Sequence, residues 1–351
     1  MRMTLVSAAF CLCFANSTVA APNAPALPVS IRAQTVNDAE WSDKATQETV
    51  GPMTVKLQVL LDRAHFSPGE IDGKRGENLD KAIAAYAAAQ GANSGMSTEL
   101  WQKLIEMFKG PVIVGYKISE GDVKGPFAEK IPEKMEDMKD LPALSYINPK
   151  EQLAEKFHMS PELLVSLNPD QQKFDKAGAT IMVASVASAK LSEKAVKIEV
   201  DKGKQILKVL GKAKALLAVY PVTAGSTEKP APDGILKVTS IAANPTYRYN
   251  PDYAFKGVKS QEAFTIKPGP NNPVGLAWIG LNKEGYGIHG TPEPSKISKS
   301  ESHGCIRLTN WDALQLASTI TKGVPVEFIG DEKDRPLAQA QKRKGKRSKP
   351  R

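Results

Sequence analysis

The sequence predicts a multidomain α+β protein whose helical first half precedes a mainly-β second half. Three observations carry this. At 351 residues the chain is longer than one typical domain. Apolar residues recur at helical spacing between 50 and 108 and again between 146 and 168. From Ala195 onward the texture changes to short alternating or continuous apolar runs separated by turn residues, the pattern of strands.

Charge is unevenly placed. The chain has 47 Lys and Arg against 38 Asp and Glu, a formal +9. Eight of those cations lie in RPLAQAQKRKGKRSKPR, from Arg335 to Arg351, and Arg2 is the one charge in the first twenty residues. Without these two ends the body is formally neutral, so it lacks the net basic field that holds a phosphate backbone. A nucleic-acid partner is not expected.

Taken in order, residues 1–20 read as a secretory signal: Arg2, an apolar run from Leu5 to Ala15, then Thr18-Val19-Ala20. The run is too short to span a bilayer. Phe10 and Leu12 precede Cys11 and Cys13 where a lipoprotein acylation site needs a small residue. An exported protein of the periplasm or cell envelope is therefore expected. Residues 21–49, rich in Pro, Ala, Ser and Thr without sustained periodicity, read as a linker.

Between 50 and 108, three helices are expected on the stripes Leu57/Leu60/Leu61, Leu79/Ile83/Tyr86 and Trp101/Leu104/Ile105. Asn78 is read as N-cap of the second, Gly91 lies past its end, and Ser97 and Thr98 precede the third. LQVLLDRAHFSPGEIDGKRGENLDKAIAAYAAAQG resembles the small helical peptidoglycan-binding domain through Leu57, Gln58, Asp72, Gly73, Gly76, Ala82 and Tyr86. An Ala-rich helical packing module without a ligand is the alternative.

Residues 109–145, rich in Pro, Gly, Lys and Glu, read as a connecting segment. In 146–186, Leu153, Ala154 and Phe157 mark one helix. Ser160-Pro161 opens another that Asn168-Pro169 ends, and Thr180 to Val183 forms a strand. LAEKFHMSPELLVSLNP resembles the helix pair of a LysM module, a βααβ unit that binds peptidoglycan glycan. Asn148-Pro149-Lys150 stands where the family has Gly-Asp-Thr. His158 and His65 are read as structural.

In 195–330, strands are expected at Val196–Val200, Ile206–Leu210, Leu216–Val222, Ile235–Ile241 and Val324–Ile329. One helix interrupts them, opened by Thr309-Asn310-Trp311-Asp312 at capping-box spacing. Within this region Tyr286-Gly287-Ile288-His289-Gly290 is followed by Ser302-His303-Gly304-Cys305-Ile306-Arg307-Leu308. Cys305 is the one cysteine outside the expected signal. A thiol near pKa 8.5 needs a base or a cationic neighbour to supply thiolate. His303, two residues away in a glycine-containing turn, reaches the sulfur poorly, whereas His289 arrives from a separate segment. His289 is therefore assigned as general base and later general acid, and His303 as a site-shaping hydrogen-bonding residue. Gly304 lets backbone N–H groups approach a developing oxyanion.

YGIHGTPEP and SHGCIRL, with YPVTAG, PAPDG and PGPNNPVGLAWIGL around them, resemble the L,D-transpeptidase (YkuD-type) catalytic domain over about 195–330. The resemblance implies a β-sandwich-like catalytic fold with Cys305 as nucleophile, His289 as proton acceptor and donor, and His303 and Gly304 lining the site. It also implies substrate contacts from Arg307, Tyr286, Gly290 and Ser302. Arg307 occupies a position where many members have Asn, and its guanidinium suits a substrate carboxylate. Ser298 stands where the family often has Gly.

The implied chemistry is attack of Cys305 on the L-to-D peptide bond before the terminal D-Ala of a tetrapeptide stem. A thioester forms, and the acyl group passes to the side-chain amine of a diamino acid, giving a 3→3 cross-link. No cofactor or metal is called for, since the thiol supplies the nucleophile. The implied partners are peptidoglycan stem peptides and glycan. The same thioester also serves an L,D-carboxypeptidase or the anchoring of an envelope protein, and a non-catalytic peptidoglycan-binding structural protein is the alternative of another class. The basic tail, 331–351, is expected to make weak contact with an anionic envelope surface.

Overall fold

The structure is a computed structural model describing residues 31–42, 50–93, 95–171, 173–186, 190–226, 229–253, 258–300, 302 and 304–331. The expected signal and the tail from 332 onward lie outside the described residues, as does His303. No helix among those described is long and apolar enough to cross a membrane.

Part of the expected linker is a packed strap. Helix α1 (Ala33–Asn37) buries Val36 completely. The Asn37 side-chain oxygen accepts the N–H groups of Val112 and Ile113, both at 2.9 Å, and Lys56 Nζ donates to the carbonyls of Asn37 and Ala39. The absence of periodicity in so short a helix concealed it.

Helices α2 (Pro52–Arg63), α3 (Glu77–Ala89) and α4 (Thr98–Met107) follow, burying their expected stripes except Ile105 of α4, which is half-buried. Ser97 caps α4 by accepting the Leu100 N–H. The cap of α3 is Gly76 rather than Asn78. Asn78 instead donates its side-chain amide to the Ile297 carbonyl in the second half of the chain. The motif residues between α2 and α3 are consumed by the loop itself. Buried Gln58 donates to Asp72 and accepts the Gly73 N–H at 2.8 Å. Gly73 holds φ +74°, and a Cβ there would meet Val50 and Val55.

The βααβ unit starts earlier than expected. Strand β1 (Ile113–Lys117), in the presumed connector, pairs antiparallel with β2 (Thr180–Ala184). Between them lie α5 (Glu120–Lys124), α6 (Pro149–Lys156) and α7 (Pro161–Leu167). Helix α5, which holds Gly121-Asp122, is opened by a Ser119/Asp122 capping box. Residues 125–148 form an insertion between α5 and α6. Nor is there a packing boundary between this unit and the helical one, because both contribute to one hydrophobic core.

The remaining elements are β3 (Lys197–Asp201), β4 (Ile206–Leu210), β5 (Leu216–Pro221), β6 (Thr223–Ala224), β7 (Gly234–Ala243), β8 (Tyr247–Tyr249), β9 (Phe264–Ile266), β10 (Ala277–Leu281), β11 (Gly287–His289), β12 (Ile306–Arg307), α8 (Asn310–Thr319) and β13 (Pro325–Ile329). Among the described residues, one nine-stranded sheet runs β5-β4-β3-β13-β7-β10-β11-β12-β6, and β8 pairs with β9. A second core lies between this sheet and α8. The edge strand β5 is not left open: the Val219 N–H donates to the His65 carbonyl and the Ser67 N–H to that of Val219.

Helical unit, βααβ unit and sheet domain meet at a buried polar junction. His158, at the α6–α7 turn with φ +56°, donates Nδ1–H to Asp62 of α2 at 2.8 Å and stacks on Trp311 of α8 at 5.0 Å. Ser67 donates to Asp312, and the Asn310 amide donates to Glu155. His65, also left-handed at φ +62°, lies 3.4 Å from the Gln315 amide. Both histidines are structural, as read from the sequence.

Burial pushes Asp312 up to about 7, and it does the same to Glu155. For His158 burial opposes the charge, yet Asp62, with Asp312 and Glu155 behind it, raises its proton affinity. All three groups bind protons more tightly folded than unfolded. For the two carboxyls that stabilisation is complete below the unfolded range of about 4 and is lost as pH rises through about 7, whereas that of His158 is complete below its unfolded value of about 6.5 and is lost above it. The melting temperature is expected to fall between pH 5 and 8. Asp312→Asn, which removes one of the titrations, should flatten that slope in thermal melts; an unchanged slope would show that Asp312 does not titrate there.

Candidate active site

The strand register assembles the site. Ala242 of β7 pairs with Trp278 of β10, Trp278 with His289 of β11, His289 with Arg307 of β12, and Arg307 with Thr223 of β6. Residues opposite one another on neighbouring strands share a face, so these form one row across the sheet. Cys305, two residues before Arg307, keeps to that face. Ala242, Trp278, His289, Cys305 and Arg307 all line one cavity of about 600 Å³.

Glycines make the row possible. A Cβ on Gly287 would stand 2.6 Å from the Trp278 ring, which instead stacks on His289 with centroids 5.7 Å apart. Gly304 has φ +89°, and a Cβ there would press on Tyr286 and Lys229. A left-handed residue just before the cysteine sets the direction of its side chain, so glycine is required.

His289 is buried, and its Nδ1 lies 2.7 Å from the Gly290 carbonyl. A carbonyl only accepts, so Nδ1 carries the proton and Nε2 is the basic nitrogen. Burial, then the charge of Arg307, pushes His289 down to about 3, against the Gly290 hydrogen bond. Burial raises the Cys305 thiol, while the Gly287 N–H and the charges of Lys229 and Arg307 pull it back. The resting pair is a neutral imidazole and a thiol. Alkylation of Cys305 by iodoacetamide should consequently quicken about tenfold per pH unit from 6 to 9. A plateau beginning below pH 7 in stopped-flow rates would reveal a preformed thiolate and overturn this assignment.

Residues 195–328 match the model of the YkuD family, described as the L,D-transpeptidase catalytic domain. This stretch is an L,D-transpeptidase catalytic domain. The chain is 40% identical to YkuD of Bacillus licheniformis over 27% of its own length and 54% of that protein. It is 35% identical to YqjB of Bacillus subtilis over 33% of its own length and 61% of that one. It therefore spans little more than half the length of these curated relatives. A solved L,D-transpeptidase from Mycobacterium smegmatis aligns over 44% of this chain and 64% of its own at 15% identity. Its TM-score of 0.32 is too low to bear on the fold.

Within the L,D-transpeptidase domain, Cys305, His289 and Arg307 come together as expected, and Gly304 forms the turn beside them. Tyr286 stands at the rim, its ring between Lys229 at 5.4 Å and Lys283 at 4.7 Å. Two residues expected to contact substrate are engaged within the site itself. Ser302 is 1% exposed and donates its hydroxyl to the Cys305 carbonyl at 2.6 Å, so it holds the cysteine turn. Gly290 packs against Asn310 and offers its carbonyl to His289, which leaves it a positioning role. Ser298, in the place of the family's Gly, adopts φ +64° and is held by hydrogen bonds to Val222 and Thr223, keeping a glycine-like backbone.

Among the cavity residues that sequence reasoning missed are Trp278, Lys229, Arg248 and Met135. Trp278 becomes visible only through its register with His289, and Met135 only through the packing of the insertion. Among the described residues no group of three or more His, Cys, Asp and Glu side chains is placed to hold a metal ion.

Proposed function

We propose that the protein is a peptidoglycan L,D-transpeptidase. The observation that carries this is the row that sets Cys305, His289 and Arg307 on one face of the sheet, in one cavity, inside a domain of this family. The Cys305 sulfur attacks the carbonyl of the L-to-D bond before the terminal D-Ala of a tetrapeptide stem. His289 Nε2 takes the thiol proton as the S–C bond forms, because neither group is charged at rest. Backbone N–H groups at the Gly304–Cys305 turn face the oxyanion, and Arg307 and Lys229 meet substrate carboxylates. His289 then gives its proton to the departing D-Ala amine, leaving a thioester. A diamino-acid side-chain amine attacks that carbonyl, passes a proton to His289, and displaces the thiolate, which takes the proton back.

The helical and βααβ units are read as peptidoglycan-facing modules. Gln58, Asp72 and Gly73 preserve the loop shape of the first rather than offering it ligand groups. Export to the periplasm or envelope, and weak contact of the basic tail with an anionic surface, complete the reading. The deciding experiment is incubation of the chain with disaccharide-tetrapeptide, followed by mass spectrometry. Free D-Ala with a cross-linked dimer supports transpeptidation. Tripeptide without dimer makes water the acceptor, and no product at all leaves only a binding protein.

A further inference from the structure

The insertion within the βααβ unit does not lie idle beside its own module. Its base is closed by the Ala128 N–H donating to the Tyr146 carbonyl, and from there it runs to the L,D-transpeptidase domain. Leu144, fully buried, donates its N–H to the Pro268 carbonyl and accepts the Asn271 N–H, both at 2.9 Å. Gly269 permits the approach, since a Cβ there would stand 2.2 Å from the Leu144 oxygen. Further along, a 3₁₀ turn over Met135–Asp140 presents Glu136 to the catalytic domain, where its carboxylate accepts the N–H groups of Lys259 at 2.6 Å and Ser260 at 3.3 Å. Met135, next to this anchor, lines the cavity that holds Cys305, beside Val258, the neighbour of Lys259.

We propose that Met135 is a specificity-determining residue of the catalytic cavity, an apolar wall supplied from outside the L,D-transpeptidase domain and held in place by Glu136. With Val258 and Val274 it forms the aliphatic side of a cavity whose other groups include Cys305, Arg307 and Arg248. Such a wall takes a methylene chain or methyl group of the stem peptide while the cations take its carboxylates, and this substrate rests on the function proposed above. An unbranched thioether side chain suits the task, because it adapts to an aliphatic partner without a polar group to satisfy. Glu136 acts through Met135 and is a positioning residue.

The test uses the full chain and disaccharide-tetrapeptide, with KM and kcat from turnover and Kd from titration of chains that also carry Cys305→Ala. Met135→Ala should raise KM and Kd about fivefold, the equivalent of about one buried methylene of apolar contact. Met135→Leu should restore both, and Glu136→Ala should raise KM in the same direction, the loss falling on KM more than on kcat. Iodoacetamide reactivity of Cys305 and the melting temperature report whether the turn and the fold are intact in each variant. KM and Kd of folded Met135→Ala equal to those of the parent would overturn the proposal, as would failure of the Cys305→Ala parent to bind tetrapeptide. Binding without turnover by the parent would instead overturn the catalytic reading, with the Kd comparison still deciding the role of Met135.

Discussion

Cys305→Ala will lower release of D-Ala from disaccharide-tetrapeptide by at least about a thousandfold, without moving the melting temperature by more than a few degrees. The thiol is the strongest nucleophile among the described groups of the cavity, and alanine deletes a single atom of a half-buried side chain. Among the described residues the sulfur makes a 3.6 Å contact with the Gly285 carbonyl and accepts a bond from the Gly287 N–H, so little of the fold depends on it. Cys305→Ser should be nearly as inactive. A hydroxyl is far less acidic and less nucleophilic than a thiol, so the same base activates it far less. Residual turnover in Cys305→Ala within tenfold of the parent, measured by mass spectrometry of products, would remove the cysteine from the mechanism.

The largest effect on stability is expected at His158, far from the thiol. His158→Ala should destabilise the protein by about 3–5 kcal/mol, because the Asp62 carboxylate is left without its 2.8 Å partner in a site where its side chain is only 4% exposed. The loss of the ring stacked on Trp311 adds to this. Adding Asp62→Asn removes the buried charge that faced His158, so the double variant should recover part of the loss in denaturant titrations. Strict additivity of the two substitutions would mean that the pair does not interact.

The sequence exposed those features that local chemistry dictates. Thr309 accepts the Asp312 N–H as capping-box spacing requires, and the strands at 206–210 and 325–329 lie where their apolar runs placed them. Its limits have physical causes. Val112, Val114, Tyr116 and Ile118 alternate around β1, but the Pro, Gly, Lys and Glu of 119–145 diluted a strand of five residues. Asn78 suits an N-cap by type, yet the tertiary bond to Ile297 outweighed the local one. Ser302 is a polar residue beside a nucleophile, and only the structure shows its hydroxyl turned inward to the cysteine carbonyl. Met135 joins the cavity across more than a hundred residues of chain, a distance no local pattern reports.

The parallel pairing of β11 with β12 has a topological consequence. An antiparallel neighbour can be reached by a tight hairpin, but a parallel one obliges the chain to travel back along the strand before it pairs again. Residues 290–305, sixteen in all, make that return. The sheet thus demands a long excursion at the point where the nucleophile stands, and the turn carrying Cys305 is its last step. Length can vary in the outward leg, around Pro292–Ser295, without altering how the strand re-enters beside His289. Divergence among enzymes built on this sheet has a natural place to accumulate there, upstream of the nucleophile yet within reach of whatever it acylates.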